Sequence, residues 1–245
     1  MPDFILRTLD LKKIFGGITA INNANVEITY KGVTGIIGPN GAGKTTFFNL
    51  LSGFLKPTSG KILYEHNDIT HLKPHKIARA GLSRSFQIAN LFPNMTIEET
   101  VLLPLLTSPN VIYKSIKDLR KRTDQLLQSV GLDQRKKTFV RDLTQGELKI
   151  LDLIRAVSNE PKLLLLDEPF AGLGHQTILQ LAQIIEELRK KTTVIIIEHR
   201  LRELLNLVDR IIVINFGNII ADDSPEQIIK NQAVIDSYLG KEKVK

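Results

Sequence analysis

A glycine-containing segment early in the chain carries the residue types of a phosphate-binding loop. Residues 38–46 read GPNGAGKTT, so Gly38, Gly43, Lys44 and Thr45 fit the pattern G-x-x-x-x-G-K-[ST]. Glycines let backbone N–H groups turn inward around an anion, because no Cβ stands in the way. A lysine adds a mobile positive charge for the outer phosphates, and a threonine hydroxyl suits Mg²⁺. The pattern therefore indicates binding of a nucleoside triphosphate together with Mg²⁺.

Two acidic residues follow a second apolar run far downstream. LLLLDEP places Asp167 and Glu168 at the end of a buried strand. Taken alone, an ordinary turn explains them, since Asp, Glu and Pro all favour loops. Beside a phosphate loop, however, Asp167 could hold Mg²⁺ through its water shell, and Glu168 could orient a water for attack on the terminal phosphate. The second acid is the more informative of the two.

Short β-branched or apolar runs alternate with helical patterns, which predicts a mainly parallel sheet covered by helices. The predicted strands are VTGII, LLLLD, TVIIIE and IIVIN, and the predicted helices cover residues 44–55 and 178–191. The first 29 residues favour antiparallel pairing. Residues 88–156 lack strand patterns and read as helices inserted into the core. The prediction is one α/β domain over residues 1–245, with an N-terminal antiparallel β subdomain and an inserted α-helical subdomain at residues 88–156.

Composition excludes several classes of site. The chain has no cysteine, so disulfides, thiolate metal sites and a catalytic thiol are excluded. Its apolar runs are shorter than the roughly 20 residues of a membrane helix, and its start does not read as a secretory signal. The net charge is +7, and many of the basic residues lie between Tyr113 and Arg141. A solvated helical face is favoured there over nucleic-acid binding, because neither interleaved aromatics nor zinc spacing is present; attraction to an anionic membrane leaflet stays open.

Further motifs follow in a fixed order and together resemble the ATP-binding cassette (ABC) ATPases. The ordered set is Phe15, GPNGAGKTT, Gln87 in SFQIANLFP, LTQGE at residues 143–147, LLLLDEP, AGLG at residues 171–174, and His199 in IIIEHR. The resemblance covers nearly the whole chain. It implies a RecA-like P-loop NTPase core, and a soluble P-loop kinase would leave LTQGE and His199 unexplained.

The resemblance also implies a role for each motif residue. Phe15 would stack on adenine, and Gln87 would sense Mg²⁺ and the attacking water. Glu168 would be the base or the carboxylate that positions that water, and His199 would bind the γ-phosphate. The metal residues would be Thr45, Gln87 and Asp167. The nucleotide would contact Gly38, Pro39, Asn40, Gly41, Ala42, Gly43, Lys44, Thr45 and Thr46 of one subunit and Leu143, Thr144, Gln145, Gly146 and Glu147 of another. Alternatives from residue type alone are a core aromatic for Phe15, an exposed polar residue for Gln87 and a surface histidine for His199.

Two motifs depart from the family pattern. The usual L-S-G-G-Q is LTQGE here, so Gln145 replaces a glycine and Glu147 replaces a glutamine. The usual S-A-L-D after the strand-end acids is AGLG, with Gly174 where aspartate is common. Thr144 keeps a hydroxyl, but Gln145 could crowd a close approach, and both departures bear on signalling across a dimer and on the hydrolysis rate.

Within the family, FGGITAINNANVEI, IEHR and the ending VIDSYLG look most like the ATPase subunits of branched-chain amino-acid importers. That resemblance implies a homodimer, or a heterodimer with a related ATPase subunit, transmembrane permease subunits, an extracytoplasmic solute-binding protein and no nucleic acid. It implies a peripheral place on the cytoplasmic face of the cell membrane. The alternatives are a lipopolysaccharide-export ATPase, a urea importer, and a soluble ABC ATPase of DNA repair or translation; the last usually carries two cassettes or long inserts.

Overall fold

The computed structural model describes residues 4–86, 90–107 and 115–239. The strands are β1 Phe4–Phe15, β2 Ile18–Thr29, β3 Val33–Ile37, β4 Ser59–Tyr64, β5 Asn67–Asp68, β6 Leu82–Arg84, β7 Leu163–Asp167, β8 Thr193–Ile197, β9 Arg210–Asn215 and β10 Asn218–Asp223. The helices are α1 Lys44–Leu51, α2 Pro74–Arg79, α3 Ile97–Thr107, α4 Ile116–Gln128, α5 Gln145–Val157, α6 His175–Leu188, α7 Leu201–Leu205, α8 Pro225–Ile228 and α9 Gln232–Leu239. No helix in these ranges is both long and apolar enough to cross a bilayer.

The described strands form two sheets. One is antiparallel, in the order β2-β1-β4-β5, and contains the N-terminal hairpin that the sequence predicts. The other has the order β10-β9-β3-β8-β7-β6 and is parallel except for β10 at its edge. This arrangement confirms the predicted α/β class with a mainly parallel sheet.

Apolar residues cover both faces of the parallel sheet. Along β7, Leu163 and Leu165 pack into a core shared with the antiparallel sheet and α1, whereas Leu164 and Leu166 face a second core built with α5 and α6. Successive side chains of a strand point to opposite faces, so a strand buried on both must be apolar throughout. Burial on both faces is why these strands read as unbroken apolar runs.

Helices occupy the described chain between β6 and β7. They are α3, α4 and α5, with short 3₁₀ turns at Asp133–Arg135 and Val140–Asp142. Several basic side chains of this region form ion pairs at its surface, including Arg122 with Glu160 and Lys136 with Asp124. Part of the predicted insertion falls outside the described residues, so its boundaries at residues 88 and 156 stay a prediction.

The predicted helix bounds need small corrections. The helix after the phosphate loop ends at Leu51, because Gly53 takes a left-handed φ of 74° and turns the chain away. The next predicted helix begins at His175 rather than at residue 178, and it ends at Leu188. Its apolar Ile178, Leu181 and Ile185 are buried, as their spacing on one helical face predicts.

Candidate active site

Three strands end side by side at one edge of the parallel sheet. In its register, Ile36 of β3 and Asp167 of β7 both lie opposite Ile197 of β8. The phosphate loop begins two residues after Ile36, and His199 stands two residues after Ile197. Ligands of open parallel sheets bind outside the carboxyl ends of the strands. Strand pairing thus brings the predicted phosphate loop, the two acids and the histidine to a common edge.

The phosphate loop depends on two glycines for close packing. A Cβ on Gly38 would lie 2.0 Å from the carbonyl oxygen of Ile214, and one on Gly43 would lie 2.4 Å from that of Ala20. Gly43, with φ at 111°, is also the N-cap residue directly before Lys44, where α1 begins. A side chain at either position would push the loop off strands β9 and β2.

Lys44 crosses the inside of this loop. Its Nζ donates to the carbonyl oxygens of Gly38 at 2.7 Å and Pro39 at 2.9 Å, and the residue is buried. The following Thr45 is exposed and Thr46 is half-buried, while Asn40 and Gly41 form the exposed tip of the loop and Ala42 is buried beneath it. A positive charge and the amino end of a helix therefore face the same small space, an arrangement suited to phosphate.

Asp167 is tied to the phosphate-loop helix through a buried arginine. Nη2 of Arg84 lies 2.8 Å from Oδ2 of Asp167, and Nη1 donates to Asn49 at 2.7 Å and to Ser52 at 2.9 Å, both in or directly after α1. Burial lowers the pKa of Arg84, and the paired carboxylate of Asp167 opposes that effect. A buried charge pair of this kind persists only when its hydrogen bonds are largely satisfied.

Glu168 and His199 are in direct contact. Oε1 of Glu168 lies 3.1 Å from Nε2 of His199, and the two side chains are 16% and 39% exposed. Glu168 has a left-handed φ of 48°, rare for a residue with a side chain, and its N–H donates to Ile197 at 2.9 Å. His199 is thus a partner of the strand-end acid rather than an isolated surface histidine.

Two more charged side chains lie buried beneath this pair. Glu198 is 2% exposed and accepts from backbone N–H groups; burial raises its pKa, and the bonds from Phe170, Arg200 and His199 oppose that rise. Nζ of Lys149 lies 3.3 Å from the carbonyl oxygen of Glu168. Burial lowers the pKa of Lys149, although the charges of nearby carboxylates act to raise it.

The LTQGE segment begins α5 with a reciprocal cap. The N–H of Glu147 donates to Oγ1 of Thr144 at 3.3 Å, and Oε2 of Glu147 accepts from the N–H of Thr144 at 2.9 Å. Arg135 also pairs with Glu147. Partial burial works to raise the pKa of Glu147, but the bonds from Thr144 and the charge of Arg135 leave it below its usual value. Glu147 is therefore a capping residue, which the pattern [ST]-x-x-[DE] before an apolar run could have revealed.

The two motifs that depart from the family pattern contact each other, at Gln145 and Gly172. A Cβ on Gly172 would lie 2.6 Å from Nε2 of Gln145, so the larger residue in LTQGE is accommodated by a glycine in AGLG. The neighbouring Gly146 packs against Thr177 in the first turn of α6. Within the described residues, the segment 143–147 makes no hydrogen bond to the phosphate loop, and Leu143 is buried while Thr144 and Gln145 are exposed.

Phe15 lies at the end of β1, beside the hairpin turn. Its side chain is 42% exposed and Nζ of Lys13 stands 4.9 Å from its ring centre, so Phe15 is not a core aromatic. The paired strand β2 packs against the phosphate loop at Ala20. An exposed aromatic ring on the hairpin next to the loop has the surface that adenine stacking needs.

Gln87 lies outside the described residues, and its predicted role stays a prediction. Its neighbour Phe86 stacks edge-on against Phe54, with ring centres 5.6 Å apart. These rings border a cavity of about 310 Å³. A second cavity, of about 260 Å³, shares Pro104, Arg155 and Asn159 with it and is bordered by Leu91 and Phe92.

Three charged residues of the site are missing from the sequence prediction: Arg84, Lys149 and Glu198. Arg84 stands between two serines, and nothing local marks it. Lys149 and Glu198 each stand within or beside an apolar run, as in TVIIIEHR, and a charged residue that must be buried there needs partners. That signal could have marked them, but the identity of the partners depends on the tertiary structure.

Family models match two parts of the chain. One, described as "ABC transporter", matches residues 21–171. The other, described as "Branched-chain amino acid ATP-binding cassette transporter", matches residues 218–244. Together they span from β2 through β7 and from β10 into the C-terminal end.

Curated relatives are similar over nearly their full length. The chain is 37% identical to the high-affinity branched-chain amino acid transport ATP-binding protein LivG of Escherichia coli K12, with 98% of this chain and 99% of that protein covered. It is 37% identical to BraF of Pseudomonas aeruginosa, of the same description, with 96% and 98% covered. The lipopolysaccharide export system ATP-binding protein LptB of Acidithiobacillus ferridurans is 32% identical, with 96% and 97% covered.

Solved structures share the fold. The ADP conformation of MJ1267, an ATP-binding cassette of an ABC transporter, has a TM-score of 0.84 and 30% identity, covering 97% of this chain and 99% of that one. The ATP-binding cassette MJ0796, in a dimeric post-hydrolysis state bound to ADP and Pi, has a TM-score of 0.81 and 25% identity, with 90% and 98% covered.

The reciprocal cap on α5 makes a prediction for stability. Thr144→Ala is expected to lower the free energy of unfolding by about 0.5–2 kcal/mol, because the N–H of Glu147 loses its hydroxyl acceptor. Urea denaturation of the isolated chain measures the change. Thr144→Ser keeps the hydroxyl and should stay close to the wild type; an equal loss in both variants would contradict the capping role.

Proposed function

The chain belongs to the ABC transporter ATPases, and on that premise we propose that it powers the import of branched-chain amino acids. It binds and hydrolyses ATP as the ATPase subunit of a transporter. The amino-acid substrate is supported by two relatives whose names specify it and by the family match at residues 218–244. The observation that carries the catalytic proposal is the meeting of phosphate loop, acids and histidine at one edge of the sheet.

In this proposal the loop of residues 38–46 holds the triphosphate. Lys44 exchanges its bonds to the carbonyls of Gly38 and Pro39 for the outer phosphates, a small movement for a side chain that already lies inside the loop. The amino end of α1 adds its partial positive charge. Phe15 stacks on the adenine from the neighbouring hairpin, since it is exposed and the hairpin packs against the loop.

The oxygen donors of Thr45 and Asp167 suit Mg²⁺. Both are hard ligands, on the loop after β3 and at the end of β7, strands that flank β8 in register. Gln87 is proposed to complete the set. When bound, the ion supplies charge neutralisation for the β- and γ-phosphates. Arg84 pairs with the carboxylate of Asp167 and fixes it beside the phosphate-loop helix.

Glu168 and His199 are proposed to carry the hydrolytic step. The carboxylate of Glu168 orients a water and accepts its proton as the water oxygen attacks the γ-phosphorus, while the bond to the bridging oxygen of ADP breaks and inorganic phosphate is released. His199 is proposed to donate its ring N–H to the γ-phosphate once ATP is bound, in place of the Glu168 carboxylate that it contacts here, so both side chains already point toward the same place. Gln87 is proposed to assist in placing the water.

A second subunit is proposed to complete each active site. Thr144, Gln145 and Gly146 lie at the amino end of α5 and make no hydrogen bond to the phosphate loop within the described part of their own chain. We place them against the γ-phosphate held by the partner, with the buried Leu143 and the capping Glu147 holding the helix start in position behind them. A helix end contributes about 0.3–1 kcal/mol to binding an anion at a surface, so backbone and hydroxyl donors must add to it. The partner is a second copy or a related ATPase subunit.

The helical insertion, residues 88–156, is proposed to receive the transmembrane permease. Phe54, Phe86, Leu91, Phe92 and Pro93 border the two neighbouring cavities or lie beside them, and Phe92 is 61% exposed. A short cytoplasmic helix of the permease would bury these side chains. The chain would then sit on the cytoplasmic face of the membrane through the permease, and an extracytoplasmic solute-binding protein would act on the permease from the other side.

Lipopolysaccharide-type export is the alternative function. Its support is the similarity to LptB, at 32% identity against 37% for LivG and BraF. The ATPase site serves either direction of transport, so the permease partner distinguishes the two.

Replacing the proposed water-positioning acid should slow hydrolysis. Glu168→Gln is expected to reduce kcat by about 10²–10⁴-fold while ATP still binds, because a positioned base is lost and the shape is kept. Phosphate release and calorimetric ATP binding measure the two effects. Glu187→Gln, an exposed glutamate on α6, is the control and should leave kcat unchanged. Unchanged turnover in Glu168→Gln would remove that residue from the step.

The same variant should reveal ATP-dependent dimerisation. With saturating ATP, Glu168→Gln is expected to elute as a dimer in size-exclusion chromatography with light scattering, because the unhydrolysed γ-phosphate keeps two subunits together. Adding Lys44→Ala should return it to a monomer. If Glu168→Gln forms a dimer only after a related ATPase subunit is added, the heterodimer is supported. If it stays a monomer both with and without that subunit, the shared site is contradicted.

Reconstitution with the permease subunits that co-purify with this chain tests the transported solute. Proteoliposomes carrying the complex and the binding protein are expected to accumulate leucine, isoleucine or valine with ATP. The complex containing Glu168→Gln should assemble without accumulating them. Assembly with a lipopolysaccharide-extracting permease instead, and no uptake of these amino acids, would overturn import in favour of export.

A further inference from the structure

Glu198 is a buried acid that no motif assigned to the site. It stands directly after β8, between Ile197 and His199, and is 2% exposed. Carboxylates are almost never fully buried without partners. An acid in this position therefore has a role set by the groups that surround it.

The two oxygens of Glu198 serve two different turns. Oε1 accepts from the N–H of Phe170 at 2.7 Å, in the turn after β7. Oε2 accepts from the N–H groups of His199 at 2.9 Å and Arg200 at 3.2 Å, in the turn after β8. One carboxylate thus joins the turn after β7 to the turn after β8. The bonded residues Phe170 and Glu198 are 28 residues apart in the sequence.

The bridged turns carry the two residues proposed to act on the γ-phosphate. Glu168 is two residues before Phe170, and its backbone has the left-handed φ of 48°. Such a conformation persists where the surrounding structure holds it. The N–H of Glu168 donates to Ile197, and the N–H of Ala171 donates back to Glu168 at 3.2 Å, so the turn is closed at its base. The buried bond from the N–H of Phe170 to Glu198 attaches the turn at a further point.

We propose that Glu198 is a positioning residue, whose carboxylate holds the turns after β7 and β8 at the separation at which Glu168 meets His199. The inference rests on the proposed hydrolytic function and adds a residue to it. As a positioning residue, Glu198 does not contact the nucleotide. It acts through three backbone N–H groups, and the 3.1 Å contact between Glu168 and His199 is its consequence.

The substitution Glu198→Gln isolates this role. Glutamine has nearly the same volume, but its amide nitrogen accepts no hydrogen bond, so one of the two turns loses its acceptor. We expect kcat to fall at least about tenfold and the Kd for ATP to change by less than about twofold, since displaced catalytic groups cost rate more than binding. If Glu198→Gln does not fold, Glu198→Asp takes its place with the same expectation, because the shorter side chain cannot span both turns.

A control for the loss of a backbone-bonding carboxylate lies at the opposite edge of the sheet. Asp209 also accepts a backbone N–H, that of Val33 at 2.8 Å, at the start of β3. Asp209→Asn should lower stability in urea while leaving kcat unchanged. Equal effects of Glu198→Gln and Asp209→Asn on kcat would show that general destabilisation, rather than positioning, explains the loss, and would overturn the proposal.

A spectroscopic measurement tests the geometry independently of hydrolysis. At fixed pH, the ¹⁵N signals of the His199 ring report its bond to Glu168, and Glu168→Gln is expected to shift them. In the Glu198→Gln background the same change should have a much smaller effect, because the two side chains no longer meet. If Glu168→Gln shifts the His199 signals equally in both backgrounds and Glu198→Gln leaves kcat unchanged, the positioning role is overturned. Absence of ATPase activity in the wild type would instead contradict the proposed function, and the measurement of the His199 ring would still be valid.

Discussion

Parallel pairing of β3 and β7 with β8 is the interaction on which the candidate site depends. The register sets Ile36 and Asp167 level with Ile197, so the loops after three strands emerge at one edge. The strands are buried on both faces, and apolar contacts on each side hold that register. A slip of one residue would turn buried side chains to the wrong face and separate the phosphate loop from the acids.

Buried charges connect this apolar framework to the polar edge. Arg84 joins Asp167 to the helix after the phosphate loop, Lys149 reaches the carbonyl of Glu168, and Glu198 bridges two turns. Each charge is costly to bury and is retained with hydrogen-bonding partners. Each also links elements that are distant in sequence, so the shape of the site is set by the core rather than by the loops alone.

The amino end of α5 shows how a departure from a family pattern is accommodated. Gln145 lies over Gly172, whose lack of a side chain leaves room for it, and Glu147 closes the cap with Thr144. The helix start is thereby complete within one subunit while Thr144 and Gln145 stay exposed. Under the proposed function, that exposed end is the surface offered to the partner's nucleotide, and its rigidity comes from contacts on its own chain.

The sequence by itself determined the elements whose signals are local. The apolar runs of β3, β7 and β8 and the glycine loop before α1 can be read over a few residues each, and the order of the motifs can be read along the chain. Together they identify the fold and the phosphate loop. Nothing in the local sequence indicates that Phe15 is exposed. Gln87 lies outside the described residues, so its role stays a prediction.

Only the tertiary structure decided which charges meet. Arg84 and Asp167 are 83 residues apart, and Glu198 and Phe170 are 28 apart. The pairing of Glu168 with His199, and of Gln145 with Gly172, likewise joins separate turns. These partners are set by strand register and by the packing of α5 and α6 against the sheet. Such long-range constraints leave no periodic trace in the chain, and a charged residue in an apolar run shows only that some partner is needed.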